Sequence, residues 1–461
     1  MGAVYEVRDL ERQVDLALKT PLDRRPERVL HLKNEFRASR DLVHPNLVQL
    51  DELFESDGLW FFTMERLRGT PFTTFVRPGG SLDPDRARRA LRGLVGGLSA
   101  LHAAGKVHRD VKPSNTLVES GGRVVLLDFG LVGGTERVSQ ERTARAGTAV
   151  YMAPEQGCGA GGPPADWYSV GVVLYQSLTG VLPFAGSGPD VLARKRAETP
   201  PAPSTMARGV PPDLEQLCLD LLQTSPGRRP GGDEISRRLG GPRTTAAPTA
   251  PRGLVGRARE LGLLREALAT AERAGPVTVL IRGAPGVGKT TLVETFLGRL
   301  AEPVTVLSGR CCAREFIPLR ALDGVVDSLA CRLARLDDAA LCGLLPSNSA
   351  ALAELFPVLT RSFRPRASPA KRSRPSPSKT RRPALGALRK LLAGLARKST
   401  LVVAIDDLQW ADSDSLGALE DLFRGSLFKN VVLILAARPN AEVPKLSGRR
   451  VVLELGAWSP G

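Results

Sequence analysis

His108-Arg109-Asp110-Val111-Lys112-Pro113-Ser114-Asn115 places an aspartate five residues before an asparagine, with a lysine between them. That set suits phosphoryl transfer. Asp110 can orient a substrate hydroxyl and accept its proton, Lys112 offers positive charge where a γ-phosphate moves, and the Asn115 amide can hold a magnesium ion. Alone, the stretch is also what a chance His-Arg-Asp in a surface loop looks like. The flanking sequence has to decide.

At 461 residues the chain exceeds one ordinary domain. No apolar run approaches the ~18–20 residues that cross a bilayer, and no basic-then-apolar segment follows Met1, so neither a membrane span nor a signal peptide is expected. The six cysteines (Cys158, Cys218, Cys311, Cys312, Cys331, Cys342) lack metal or Cys-x-x-Cys spacing. They read as reduced thiols, and the expected location is cytoplasmic. The net charge of +16 looks like a nucleic-acid signal, but residues 361–383 hold nine Lys/Arg and no acid. More than half of the excess therefore lies in one Pro/Ser-rich segment, expected to be a disordered insertion rather than a specific nucleic-acid surface.

Residues 1–8 and Val14 to Lys19 alternate like strands about a polar turn, and Lys19 closes Leu16-Ala17-Leu18-Lys19. By itself such a lysine is a surface residue with its stem on the sheet. Residues 27–42 have helical spacing, and Glu35 lies nine residues before His44-Pro45-Asn46. Leu59 to Met64 is an apolar strand followed by Glu65-Arg66-Leu67. A helix over Asp83 to Ala104 buries a stripe of Leu91, Leu94, Val95, Leu98 and Leu101. After the opening stretch, a strand over Val124 to Leu127 ends in Asp128-Phe129-Gly130. Then come Gly147-Thr148, Ala153-Pro154-Glu155, Asp166-Trp167-Tyr168-Ser169-Val170-Gly171 and Pro226-Gly227-Arg228-Arg229-Pro230.

This ordered set resembles the protein kinase family over residues 1–240. The resemblance implies Asp110 as base, Lys112 on the γ-phosphate, Asn115 and Asp128 on Mg2+, and Lys19 on the α- and β-phosphates, paired to Glu35. It places ATP against Gly2, Val4, Ala17, Lys19, Met64, Glu65, Leu67 and Leu117, and makes Glu155 and Arg229 a structural ion pair. Asp-Val-Lys-Pro-Ser-Asn and Gly147-Thr148 resemble the serine/threonine class. Arg109 resembles that of kinases switched on by phosphorylation, with Thr135, Ser139 and Thr143 as candidate acceptors. The family's Gly-x-Gly-x-x-Gly loop is represented only from Gly2 onward, so the expected fold lacks its first strand, and a coding start upstream of Met1 is the favoured explanation.

Residues 241–252 read as a Gly/Pro/Thr/Ala linker. Beyond a helix to about Ala274, a strand over Val277 to Ile281 leads into Gly283-Ala284-Pro285-Gly286-Val287-Gly288-Lys289-Thr290-Thr291 and another helix. This fits G-x-x-x-x-G-K-[ST] in strand–loop–helix context. Gly283, Gly286 and Gly288 let amides wrap phosphates, Lys289 reaches the β- and γ-phosphates, and Thr290, followed by Thr291, ligates Mg2+. The apolar run Leu401-Val402-Val403-Ala404-Ile405 reads as a strand buried on both faces. It ends in Asp406, on the metal shell, and Asp407, placed to polarise water. Val431 to Ala436 leads to Arg438, a candidate γ-phosphate sensor. With Val255-Gly256-Arg257, these motifs resemble the AAA-like signal-transduction ATPases, in which ATP binding shifts assembly state.

The sequence thus implies a multidomain protein: an α+β bilobal kinase fold at 1–240, a linker at 241–252, and an α/β P-loop NTPase with a parallel sheet at 253–461. The implied activity is ATP-dependent phosphorylation of protein Ser/Thr hydroxyls, with protein substrates as partners and self-association through the ATPase module. The rival reading is a catalytically weak ATP-binding scaffold in which the C-terminal ATPase carries the function.

Overall fold

Strands form first where apolar and polar residues alternate. In the computed structural model, β1 (Gly2–Asp9) and β2 (Val14–Pro21) flank a turn in which Gln13 takes φ 56°. The structure describes residues 2–128, 149–158, 161–186, 188–241, 256–301, 303–346, 348–362, 377–425, 428–446 and 448–456. Phe129, Gly130, Thr135, Ser139, Thr143, Gly147, Thr148 and Val255 lie outside the described residues. The chain divides into two compact units: Met1–Thr20, His31–Asp51 and Phe61–Ala250 form one; Pro21–Leu30, Glu52–Trp60 and Pro251–Gly461 form the other.

Helix α1 (Pro26–Ser39) follows β2, and β3 (Leu50–Ser56) and β4 (Leu59–Glu65) complete the order β1-β2-β4-β3. In the antiparallel β2/β4 register Lys19 faces Phe62 and Ala17 faces Met64. Phe36 of α1 packs its ring 5.8 Å from that of Phe62, both fully buried. This packing turns the adjoining Glu35 inward.

β5 (Gly69–Pro71) precedes α2 (Pro84–Ala103), which starts where expected because the Asp83 carboxylate accepts from the Asp85 and Arg86 amides. Such a cap contributes about 1 kcal/mol. Leu91, Leu94, Val95, Leu98 and Leu101 are fully buried, so the anticipated stripe is the face that packs. β6 (Thr116–Glu119) and β7 (Val124–Leu126) pair antiparallel with each other and, through β6, with β5. The stretch from His108 to Asn115 ends in a 3-10 turn (Pro113–Asn115) that leads into β6. α3 (Pro163–Thr179) is buried along almost its whole length and stops at Gly180, whose φ of 84° suits glycine;. α4 (Gly188–Ala197) and α5 (Pro212–Leu221) follow.

The second unit carries α6 (Ala258–Ala274), β8 (Val277–Gly283), α7 (Lys289–Leu297), β9 (Thr305–Arg310), the two-residue β10 (Glu315–Phe316) and α8 (Arg320–Leu333). Then come α9 (Pro377–Lys398), β11 (Leu401–Asp406), α10 (Ser413–Phe423), β12 (Val431–Ala437) and β13 (Arg449–Leu455). The sheet order is β13-β8-β12-β11-β9, every pair parallel. All residues of β11 and β12 are buried, as a sheet covered on both faces requires.

The basic segment is shorter than expected. Residues 361–362 close a 3-10 turn (Pro357–Ser362), and α9 already begins at Pro377, so residues 377–383 are helical. Ala384, Leu385, Leu388, Leu391, Leu392 and Leu395 anchor one face of α9 in the core. Once that face is fixed, upstream turns extend an existing helix without a new nucleation step, and this offsets the cost of Pro383 inside it;. Arg381 pairs with Asp414 at 3.0 Å. Residues 363–376 lie outside the described residues.

Candidate active sites

The first site is built on one ammonium and two carboxylates. Lys19 Nζ donates to Glu35 Oε1 at 2.6 Å and also to Asp128 Oδ1. One cation cannot neutralise both. Burial pushes the Glu35 carboxyl up to about 7, against the opposing charge of Lys19. Burial is the largest single influence on Asp128 and acts in the same direction, yet the charge and hydrogen bond of Lys19 together with a hydrogen bond from Glu35 hold Asp128 below its ordinary value. Burial would lower Lys19, but Glu35 and Asp128 together raise it, so the ammonium stays charged.

The opening stretch forms a closed network beside that pair. Lys112 Nζ donates to Asp110 Oδ2 at 2.9 Å, and the Asn115 amide donates to Asp110 O and Oδ2, each at 3.0 Å. Asp110 N–H donates to His108 Nδ1 at 3.2 Å, while His108 Nε2 lies 2.8 Å from Leu127 O. Accepting at Nδ1 and donating from Nε2 fixes one neutral tautomer. Leu127 N–H donates to Asn115 O at 2.8 Å, which ties the segment before Asp128 to the loop carrying Asp110. Arg109 and Asp128 both take left-handed backbone, φ 65° and 62°, unusual for residues with side chains.

Asp166 is the residue that the motif reading quoted without a role. It is fully buried in α3, and its carboxylate accepts from the His108 amide (2.8 Å), the Arg109 amide (2.7 Å) and His102 Nε2 (2.8 Å). It thereby holds the strained backbone at Arg109. The signal was present: an aspartate opening the apolar run of α3 is a buried charge that needs partners.

The remaining residues of the ATP set lie on β1, β2 and β4, just after β4, and, for Leu117, on β6 of a separate three-stranded sheet. Gly2 lies against Thr20 so closely that a Cβ would come 2.1 Å from the Thr20 carbonyl oxygen. Val4 is 55% exposed. Ala17 and Met64 are register partners, and Leu67 is half-buried after β4. The Glu65 carboxylate is taken by Arg123, at 2.8 and 2.9 Å, and by the Gln49 amide. Leu117 sits in β6 opposite Val125. Away from the site, Arg229 grips Glu155 through two hydrogen bonds of 2.6 and 2.9 Å, the structural ion pair expected from the sequence.

The second site follows from glycine geometry. Gly286 and Gly288 take φ 78° and 92°, and a Cβ on Gly283 would come 2.8 Å from Leu455 O. Lys289 Nζ, mostly buried at the start of α7, donates to Gly283 O (2.8 Å) and Ala284 O (2.9 Å). Thr290, followed by the exposed Thr291, donates through Oγ1 to Asp406 Oδ2 at 2.7 Å. Burial raises the Asp406 carboxyl. Asp407 goes the other way: burial opposes it, but hydrogen bonds from Gln409 (2.8 Å) and Arg310 (2.7 Å) lower it. Gln409 belongs to the same run as the two aspartates, Asp406-Asp407-Leu408-Gln409-Trp410-Ala411-Asp412, whereas Arg310 carries no motif in the sequence. Arg438 stacks its guanidinium 5.2 Å over the Trp410 ring, and its amide donates to Gln409.

The fold and these two sites define a protein kinase domain followed by an AAA-type ATPase domain. Residues 1–238 match the protein kinase domain family and residues 253–434 match the AAA ATPase domain family. The chain belongs to the protein kinase domain family. It is similar to the serine/threonine-protein kinase PknA of Mycobacterium tuberculosis, 34% identical over 252 residues, which cover 52% of this chain and 56% of that protein. It is also similar to the serine/threonine-protein kinase PknE of Mycobacterium bovis, 35% identical over 235 residues, covering 50% of this chain and 41% of that protein. The chain thus spans about half the length of these relatives. Among the described residues no helix is long and apolar enough to cross a membrane.

Proposed function

We propose that the chain is an ATP-dependent protein serine/threonine kinase, with transfer carried by residues 1–240, a linker at 241–252, and an ATP-binding, ATP-hydrolysing regulatory module over 253–461. The observation that carries this reading is Lys19 held between Glu35 and Asp128, tied through Leu127 to Asp110, Lys112 and Asn115. Lys19 then binds the α- and β-phosphates. Asp110 accepts the proton of a substrate Ser or Thr hydroxyl as its oxygen attacks, and Lys112, 2.9 Å from Asp110, meets the charge of the transferring group.

Asn115 with Asp128, and Thr290 with Asp406, offer only oxygen donors at the points where phosphates would supply the rest, which suits magnesium. Bound there, Mg2+ supplies charge neutralisation of the phosphates. In the second module Asp407 orients water, and Arg438 senses the γ-phosphate after leaving Trp410. Self-association of this module on ATP binding, protein substrates bearing Ser or Thr, phosphorylation at Thr135, Ser139 or Thr143, and a cytoplasmic setting belong to the same proposal.

The test is γ-phosphate incorporation by the full chain. Asp110→Asn should lower it by roughly 10²–10⁴-fold, the range for a general base. Equal labelling by wild type and variant sinks the reading.

A further inference from the structure

The last residue of β4 has both carboxylate oxygens occupied, and the occupant comes from a different sheet. Arg123 donates from Nη1 to Glu65 Oε2 at 2.8 Å and from Nη2 to Glu65 Oε1 at 2.9 Å. Both side chains are half-buried. This is the two-pronged fit of a planar guanidinium to a carboxylate, which a lysine cannot make. Glu65 Oε1 also accepts from the Gln49 amide at 2.8 Å, and the Glu65 amide donates to Gln49 O at 2.9 Å. Residue 65 is therefore held at its backbone and at both side-chain oxygens.

Arg123 is itself fixed. It follows Gly122, whose φ of 83° belongs to the turn between β6 and β7, and the Glu119 amide donates to Arg123 O at 2.9 Å. Its Nε donates to Pro45 O at 2.8 Å. Next to it the Asn46 side-chain amide donates to Val124 O at 2.7 Å, and the Leu126 amide to Asn46 O at 2.9 Å. A surface ion pair contributes little when two long side chains must first be ordered. Here Nε, Nη1 and Nη2 all find acceptors from a preformed turn, so little ordering is left to offset.

The positions joined in this way belong to the nucleotide set. The β6–β7 hairpin carries Leu117, opposite Val125. Glu65 follows Met64, the register partner of Ala17, and opens the run to Leu67. Arg123 thus ties the hairpin bearing Leu117 to the strand end bearing Met64 and Glu65. The next residue, Arg66, places Nη1 2.6 Å from Glu6 Oε1 and 2.8 Å from Asp15 Oδ2, so β1 and β2, with Val4 and Ala17, are drawn to the same dipeptide. None of these partners belongs to the set of Asp110, Lys112 and Asn115.

We propose that Arg123 is a positioning residue for the nucleotide base: its clamp on Glu65 sets the spacing between Leu117 and the backbone from Glu65 to Leu67, so that the slot for adenine is formed before ATP arrives. This rests on the kinase reading above. Without the clamp, ATP must order that backbone as it binds, and the cost falls on nucleotide affinity.

The test is steady-state phosphorylation of myelin basic protein by the full chain, with ATP and acceptor varied separately. Arg123→Met removes the fork and should raise KM for ATP roughly tenfold, the scale of a lost hydrogen bond to a charged group, with kcat and acceptor KM unchanged. Arg123→Lys keeps the charge without the fork and should give a KM for ATP close to that of Arg123→Met. A lysine that restores the wild-type value overturns the inference, because charge alone would then suffice. Glu65→Gln leaves an oxygen for the Gln49 amide and should raise KM for ATP in the same direction. Combined with Arg123→Met it should add nothing further, and additive effects would show that the two side chains act separately and overturn the inference. If Arg123→Met does not fold, Arg123→Lys and Glu65→Gln decide the matter: each must raise KM for ATP alone. A merely structural role would lower the folded fraction, and with it the apparent kcat, at unchanged KM. That result, or parallel rises in KM for ATP and acceptor, overturns the inference while the kinase reading stands. A wild-type chain that labels no acceptor refutes the kinase reading, and this inference with it.

Discussion

Replacing Glu35 by glutamine isolates the electrostatics of the first site. The wild-type carboxyl is pushed from its ordinary 4.5 to about 7 in the folded chain. A carboxyl raised on folding contributes stability that is fully present below the unfolded value and is lost as pH rises through the folded one. The window here runs from about 4.5 to 7. Between pH 5 and pH 8 this one group should cost the native state roughly 2.5 kcal/mol, at about 1.36 kcal/mol per pKa unit. Glutamine keeps the shape and an acceptor for Lys19 but does not titrate, and Asp128 still neutralises the ammonium. Urea unfolding of both proteins at several values between pH 5 and pH 8 gives the difference directly, because all other groups cancel. The stability of wild type relative to Glu35→Gln should fall by that amount as pH rises. Parallel curves would refute the account of one cation shared by two carboxylates. The variant should nonetheless lose roughly ten- to hundredfold in kcat/KM, the value of a hydrogen bond between charged groups. Stability gained and activity lost at pH 8 would mark the pair as functional.

Two further outcomes follow from other parts of the molecule. Lys289→Ala removes the cation that caps the phosphate loop, so isothermal titration should show ATP stoichiometry falling from two per chain to one while autophosphorylation stays measurable; an unchanged stoichiometry would rule out the second site. Arg229→Met strands Glu155 and frees the carbonyls of Pro164, Gln223 and Thr224, and should destabilise the chain by about 3–5 kcal/mol, as broken buried pairs do, seen as a lower urea midpoint. An unchanged midpoint would show the pair to be dispensable.

The individual motifs were legible because each is local. The spacing of Asp110, Lys112 and Asn115 within one loop, the glycines before Lys289, and the apolar run before Asp406 are set by backbone constraints within ten residues. Lys19 and Glu35 were legible as a pair only through the resemblance, since they lie sixteen positions apart, one on a strand and the other within a helix. The basic segment was read too long because composition reports local solvation. It does not report that Leu385, Leu388 and Leu392 anchor α9 and extend it upstream to Pro377.

Only the tertiary structure decided which charges meet. Asp166 lies 56 residues beyond Asp110 by number, yet it receives the amides of His108 and Arg109 just before it. Arg310 reaches Asp407 because parallel β9 and β11 set it beside Asp406. Lys195 in the sequence is one of many helix lysines; burial among three carbonyls makes it different. The sequence determined the chemistry available at each position and the order of the elements. Desolvation and pairing, which set the charge state of Glu35, depend on neighbours distant in the chain, and packing alone brings those together.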